Sequence, residues 1–309
     1  MPDTAFDFES SLKNMSKKEW ISEVTDLVDE HGYLTPLGRR HIATFVEDGK
    51  TLLVSFETHQ GIQTLSPQVH PLGWEMVKTH RWSHLGLISD GDTWFRDPAV
   101  YAFFDRLVDD GFFDEFEDVL FYGAGPCGYA AAAFSVAAPG AKVLAIQPQA
   151  TLDPRVTEWD KRFTDMRRTN FTDRYGYAPD MLDAAAETFV IYDPAETEDA
   201  MHAALFTRAG VTKLRLPHMG ASLQTDLLQL DILYPLLAAA SENRLTPRLF
   251  ARLARARRDH LPYLRRLLAR LEQDDRPALV AALCHNVTQR MRAPRFASRL
   301  KRANDRMAD

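Results

Sequence analysis

The stretch Val119-Leu120-Phe121-Tyr122-Gly123-Ala124-Gly125-Pro126-Cys127-Gly128-Tyr129, followed by Ala130 to Ala133, decides how this chain is read. Four apolar residues run into three glycines, and a row of small residues follows. A buried strand turning sharply into a helix has this pattern: glycine stands where a side chain would clash, and the helix begins with amides that have no partner inside it. Outward from it, short apolar segments recur at residues 51–56, 84–89, 142–147, 188–192 and 212–216, and helical periodicity separates most of them. Strands apolar on both faces and alternating with helices predict an α/β fold, a parallel sheet of about six strands sandwiched by helices. In such sheets ligands sit beyond the carboxyl ends of the strands. The strand-end positions are therefore the candidates for chemistry: Glu57 and His59, Asp90, Asp92 and Trp94, the glycine turn, Gln147 and Gln149, Asp193 and His218.

The turn reads in two ways. Set against the pattern G-x-S-x-G, Gly123 takes the first glycine, Gly125 the nucleophile position and Cys127 the second glycine, with Gly128 beside it. Asp193 closes the strand at 188–192, and Leu216-Pro217-His218-Met219-Gly220 closes the one at 212–216. In that order of elbow, acid and histidine, residues from about 50 to 237 resemble an α/β-hydrolase. The resemblance implies a nucleophile at position 125 and a histidine near Gly220. Gly125 has no side chain to acylate, and the residue after Gly220 is Ala221. The expectation is a catalytically altered protein that binds a small ligand or a partner at the former active-site crevice, with residual acyl or ester hydrolysis as its active form. Cys127 at a helix N-terminus, where free amides favour thiolate, with His218 as base and Asp193 as its orienting group, makes a Cys-His-Asp set. A small buried cysteine in an alanine-rich helix is the competing reading. Asp90, Asp92 and Trp94, with Gly125, are the candidate ligand pocket.

In the second reading Gly123, Gly125 and Gly128 satisfy G-x-G-x-x-G, and GAGPCG resembles the turn of flavin- and nicotinamide-binding Rossmann domains. That resemblance implies FAD or NAD(P), whereas the hydrolase reading needs no cofactor. The next strand ends Ala145-Ile146-Gln147-Pro148-Gln149, without the acid that holds a ribose. Longer strings, GWEMV (73–77), SDGDTWFRDP (89–98), FYGAGPCGYAAAAFSVAAPGA (121–141) and QATLDPRVTEW (149–159), resemble alphaproteobacterial proteins labelled phosphoadenosine phosphosulfate reductase. That enzyme class carries a Ser-Gly-Gly-x-Asp-Ser loop and a Glu-Cys-Gly-x-His tail; here Cys284-His285 is the nearest counterpart of the tail.

The chain of 309 residues is 45% hydrophobic and 26% charged, ordinary for a globular protein. Residues 1–45 read as a polar, partly helical lead-in, 46–237 as the α/β-hydrolase-like domain with a lid-like excursion at 151–186, and 238–309 as a helical extension. From residue 241 onward there are 17 Lys+Arg against 7 Asp+Glu, so a basic tail follows an acidic body. Arginine recurs there every three or four positions with few aromatics, which reads as a solvated helical face and argues against nucleic acid. The arginines at 162, 167, 168 and 174 are candidates to clamp an anion. No C-x-x-C or clustered Cys/His spacing supports a metal. No apolar run of about 18 residues predicts a membrane span. Acidic first residues and two distant cysteines predict no signal peptide, no disulfide and a cytoplasmic protein.

Overall fold

The computed structural model describes Phe8 and residues 10–308. The polar lead-in begins as expected, with helix α1 (Lys17–Val28) closed by a capping box of Ser16 and Glu19. It then departs from expectation, because β1 (Gly32–Leu37) and β2 (His41–Val46) form an antiparallel hairpin. β2 pairs antiparallel with β4 (Ser83–Ser89), which joins residues expected to precede the domain to its sheet. β3 (Thr51–Thr58), β5 (Asp118–Ala124), β6 (Lys142–Ile146), β7 (Glu187–Tyr192) and β8 (Val211–Arg215) complete eight strands in the order β1-β2-β4-β3-β5-β6-β7-β8. From β4 to β8 every pairing is parallel. The sheet is thus mixed and two strands wider than the sequence suggested, within the expected α/β class.

Alternation along the central strands divides the core into two layers. Val143 and Ala145 face one side of β6, Leu144 and Ile146 the other; Phe121 and Tyr122 do the same on β5. On the first side lie α4 (Pro98–Asp109), α5 (Pro126–Phe134) and α7 (Thr197–Leu205), with an aromatic stack of Phe56, Phe104 and Phe134. On the second lie α3 (Trp74–His80), α8 (Leu223–Gln229), α9 (Leu233–Ser241) and α10 (Pro247–Leu253). The short helices α2 (His59–Leu65) and α6 (Pro154–Thr157) follow β3 and β6.

The helical extension is divided in the same way. Phe250 of α10 still packs on the sheet, whereas α11 (Leu261–Gln273), α12 (Pro277–Arg290) and α13 (Pro294–Ala308) close a small core of their own around Leu264, Leu268, Cys284 and Phe296. It is tied to the body at Asp226, which accepts from His260 Nε2 at 3.0 Å and from the Arg266 guanidinium. Among the described residues no helix is long and apolar enough to cross a membrane.

Candidate functional site

The glycine turn sits at the carboxyl end of β5, between β3 and β6. Gly125 has φ 57° and ψ −125°, a conformation that costs an L-residue about 1–3 kcal/mol. This is the tip of a strand-to-helix elbow. A Cβ built on Gly125 would meet no atom within 4 Å, so the turn faces open space there. Gly123 is different: a Cβ there would lie 2.1 Å from the Cys127 carbonyl oxygen, so only glycine lets α5 start this close to β5. Gly123→Ala is therefore expected to lower stability by about 3 kcal/mol or more, read as the denaturant midpoint, because the obstacle is backbone rather than a movable side chain.

The residue after Gly125 bears on the same turn. In an elbow of this kind the amide following the nucleophile donates to the oxyanion. That residue is Pro126, which has no N–H. The Gly125 N–H is engaged too, donating to the Ile146 carbonyl at 2.8 Å. The same two facts bear on the dinucleotide reading, since a diphosphate cradled here would find neither amide free.

Cys127 lies in the first turn of α5 and is buried. The expected lowering of its thiol pKa is reversed. Burial pushes the thiol well above its ordinary range, and the Glu57 and Asp92 carboxyls push in the same direction. Asp193 and His218 do come together, but not as acid and base. Asp193, fully buried after β7, accepts from the backbone amides of Ala195 (2.8 Å) and His218 (3.1 Å) through Oδ1 and of Gly220 (2.6 Å) through Oδ2. The carboxylate holds the loop after β8, in which His218 takes a left-handed φ of 65°. The imidazole makes no hydrogen bond among the described residues, and Ala221 beyond it is exposed.

The remaining expected pocket residues divide. Asp90 accepts from Lys17 of α1 at 2.8 Å and from Gln60 at 2.9 Å, contacts that hold its carboxyl below the usual range. Trp94 is buried, donates its indole N–H to Gln149 Oε1 at 3.1 Å and meets Phe163 edge-on. Both are engaged by their own chain; Asp92 is exposed. Two of the four candidate arginines of the excursion are likewise committed, whereas Arg167 and Arg168 are exposed. Arg162 binds Asp160 and Asp199, and Arg174 binds Asp105. Arg96, almost without exposed side-chain surface, fixes the excursion through Asp173 and the carbonyls of Asn170 and Arg174.

One group near the elbow stands out that the sequence offered only as a strand end. Glu57 closes β3, and burial pushes its carboxyl up to about 7. Both its oxygens accept from the Leu72 amide (3.0 and 3.2 Å), and the Ser55 hydroxyl donates to Oε1 at 3.0 Å. Ser55 Oγ also lies 2.8 Å from His84 Nε2, which places the serine as a relay between two buried titratable groups. His84 is boxed in by glycine: a Cβ on Gly73 would stand 2.0 Å from the ring and one on Gly86 2.9 Å from it. Burial accordingly lowers the imidazole to about 3, so it is neutral. Burial, and after it the Glu57 carboxyl among other acids, pushes Tyr122, Cys127 and Tyr234 up.

No protein-family model matches the chain, and no curated protein matches it in sequence. Solved structures do match. Est1E from Butyrivibrio proteoclasticus is 12% identical over 66% of this chain and 98% of its own, with a TM-score of 0.40. FphF, a fluorophosphonate-binding serine hydrolase of Staphylococcus aureus, is 10% identical over 66% and 95%, with a TM-score of 0.42. The capsule O-acetyltransferase of Neisseria meningitidis serogroup A is 8% identical over 67% and 94%, with a TM-score of 0.45. What this chain contributes on its own account is a mixed eight-stranded sheet with a glycine at the tip of the turn after β5 and a proline after it.

Proposed function

We propose that this chain is a catalytically altered α/β-hydrolase-like protein that binds a small ligand or a partner at the crevice around Gly125 without becoming acylated. The observation that carries this reading is the pair Gly125–Pro126: the elbow keeps its strained backbone and its open space, while the attacking atom and the oxyanion amide are both gone. Loss of the oxyanion donor alone costs an acyl-transfer enzyme about 10²–10³ in turnover, and loss of the nucleophile costs more. The use of Asp193 on backbone amides supports the same conclusion, because His218 then has no carboxylate to orient it.

The test is covalent. Purified protein incubated with a fluorophosphonate and with p-nitrophenyl acetate is expected to show no labelled elbow peptide and no burst of nitrophenolate. Gly125→Ser is expected to remain silent in turnover, because Pro126 still withholds its amide. Labelling of Cys127 that disappears in His218→Ala would instead establish residual Cys-His-Asp hydrolysis. A yellow protein, or thermal stabilisation by NAD(P) or an adenosine phosphate, would move the assignment to a nucleotide-dependent oxidoreductase. For the labelled reductase chemistry, the tail cysteine Cys284 is buried among Leu264, Val280 and Val287. A working surface on the basic helices would appear as salt-sensitive polyanion binding lost on truncation near residue 241; several arginines there pair with their own chain, as in Arg299–Glu272 and Arg306–Asp275.

A further inference from the structure

A cavity of about 460 Å³ opens between the chain following β3 and the helices following β8. That size suits a small organic molecule. Glu57 and Gln224 line it, which joins it to the elbow side of the sheet, and Ile62, Leu72 and Leu228 make much of the wall apolar. Its ionisable lining is lopsided. Glu57, Glu75 and Asp231 are acids. The one lysine, Lys78, is committed elsewhere, donating to the Phe8 carbonyl at 2.9 Å and standing over the Phe8 ring. His70 is bonded through Nε2 to the Ser10 carbonyl at 2.7 Å, and burial lowers its pKa.

We infer that this cavity is a binding site for a small organic ammonium on an apolar body, with Glu57 as the counter-ion. Two independent features of the walls carry this. First, Glu57 is buried and forms no ion pair with any described side chain, and its three hydrogen bonds leave lone-pair capacity unused. A buried carboxylate without a cation is costly, and an ammonium that keeps its hydrogen bonds to it removes that cost. Second, Trp74 lines the same cavity and is buried, and its indole N–H has no acceptor among the described residues. An oxygen acceptor on the ligand would satisfy it. Trp74 and Tyr234 also add the aromatic surface that organic cations favour. The carboxyl, raised to about 7, can release its proton to solvent near neutral pH as the ammonium takes its place beside it.

The inference goes beyond the non-acylating reading above, because the cavity lies beside the elbow and is not lined by residues 123–128. It is tested with a matched panel on the full chain: phenethylammonium and butylammonium, the corresponding alcohols, and the corresponding carboxylates, read by calorimetry and thermal shift. The ammonium members are expected to bind best, and Glu57→Gln to weaken them about tenfold or more while leaving the alcohols nearly unchanged. Trp74→Phe keeps the ring and removes the donor, and it should weaken only those ammonium ligands that carry an acceptor oxygen, such as a phenoxyethylammonium. Should Glu57→Gln fail to fold, the wild-type protein alone suffices: infrared difference spectra at pH 6 should lose a protonated-carboxyl band on saturation with phenethylammonium. No preference for the ammonium members, or a preference that Glu57→Gln leaves intact, overturns the inference. The two failures are separable, because a labelled elbow removes the non-acylating reading whatever the amines do. An unlabelled elbow with no amine preference removes only the cavity assignment.

Discussion

Asp193→Ala is expected to destabilise the protein by about 2–5 kcal/mol, a fall in melting temperature of roughly 10 °C, while leaving any ester reactivity unchanged. The carboxylate is the shared acceptor of three amides, those of Ala195, His218 and Gly220, and the last of these bonds is buried. Alanine leaves the Gly220 amide with nowhere to donate, and a buried unsatisfied donor costs about 1–3 kcal/mol by itself. The loop carrying the left-handed His218 loses its anchor at the same time. Asp193→Asn keeps one acceptor oxygen and should fall in between. The contrast with a working triad is what gives the experiment its force. There the acid orients an imidazole, and its amide variant loses turnover by about 10⁴ with the geometry intact. Here the same substitution reads out in urea rather than in rate. An Asp193→Ala protein within 1 kcal/mol of wild type would show that the carboxylate does not hold this loop, and the case for a redeployed acid would go with it.

How far the sequence carries can be argued from individual residues. The parallel strands were legible because burial on both faces writes itself as an unbroken apolar run, as in Val143-Leu144-Ala145-Ile146. The hairpin of β1 and β2 was not, since an edge strand is buried on fewer sides and tolerates Pro36, and its six residues show no clean period. Gly125 at the tip of the turn was visible directly. Pro126 was equally visible, yet what it brings is the absence of a main-chain donor, which a search for reactive side chains passes over. The uses of Asp193 and Glu57 were not legible at all. Whether a carboxylate meets an imidazole or an amide is settled by where a loop brings its backbone, and Leu72 reaches Glu57 from 15 residues away. His84 likewise looks like an interruption of an apolar strand until Gly73 and Gly86 are seen closing on its ring.

Those two buried groups make the protein's stability depend on pH in a specific way. His84 is lowered from 6.5 to about 3 in the folded state. The unfolded chain therefore binds a proton that the native one refuses, and stability is lost as pH falls from about 6.5 toward 3, by about 5 kcal/mol over the whole window. Glu57 is raised from 4.5 to about 7. The native state now keeps a proton that the unfolded chain releases, so stability is lost as pH rises from about 4.5 to 7, by about 3 kcal/mol. Between about 4.5 and 6.5 the two slopes oppose each other, and these residues together contribute a plateau. Glu57→Gln removes one arm only. Glutamine keeps acceptors for the Leu72 amide and Ser55 hydroxyl but has no proton to lose. The difference in unfolding free energy between variant and wild type should therefore widen with pH in the variant's favour, by about 3 kcal/mol between pH 4.5 and 7.5, and then stay constant. Urea titrations at half-unit pH intervals give that difference directly. Parallel curves across the window would mean that Glu57 titrates alike in the folded and unfolded chain, and that the carboxyl at the end of β3 is not held in the dry setting that its hydrogen bonds describe.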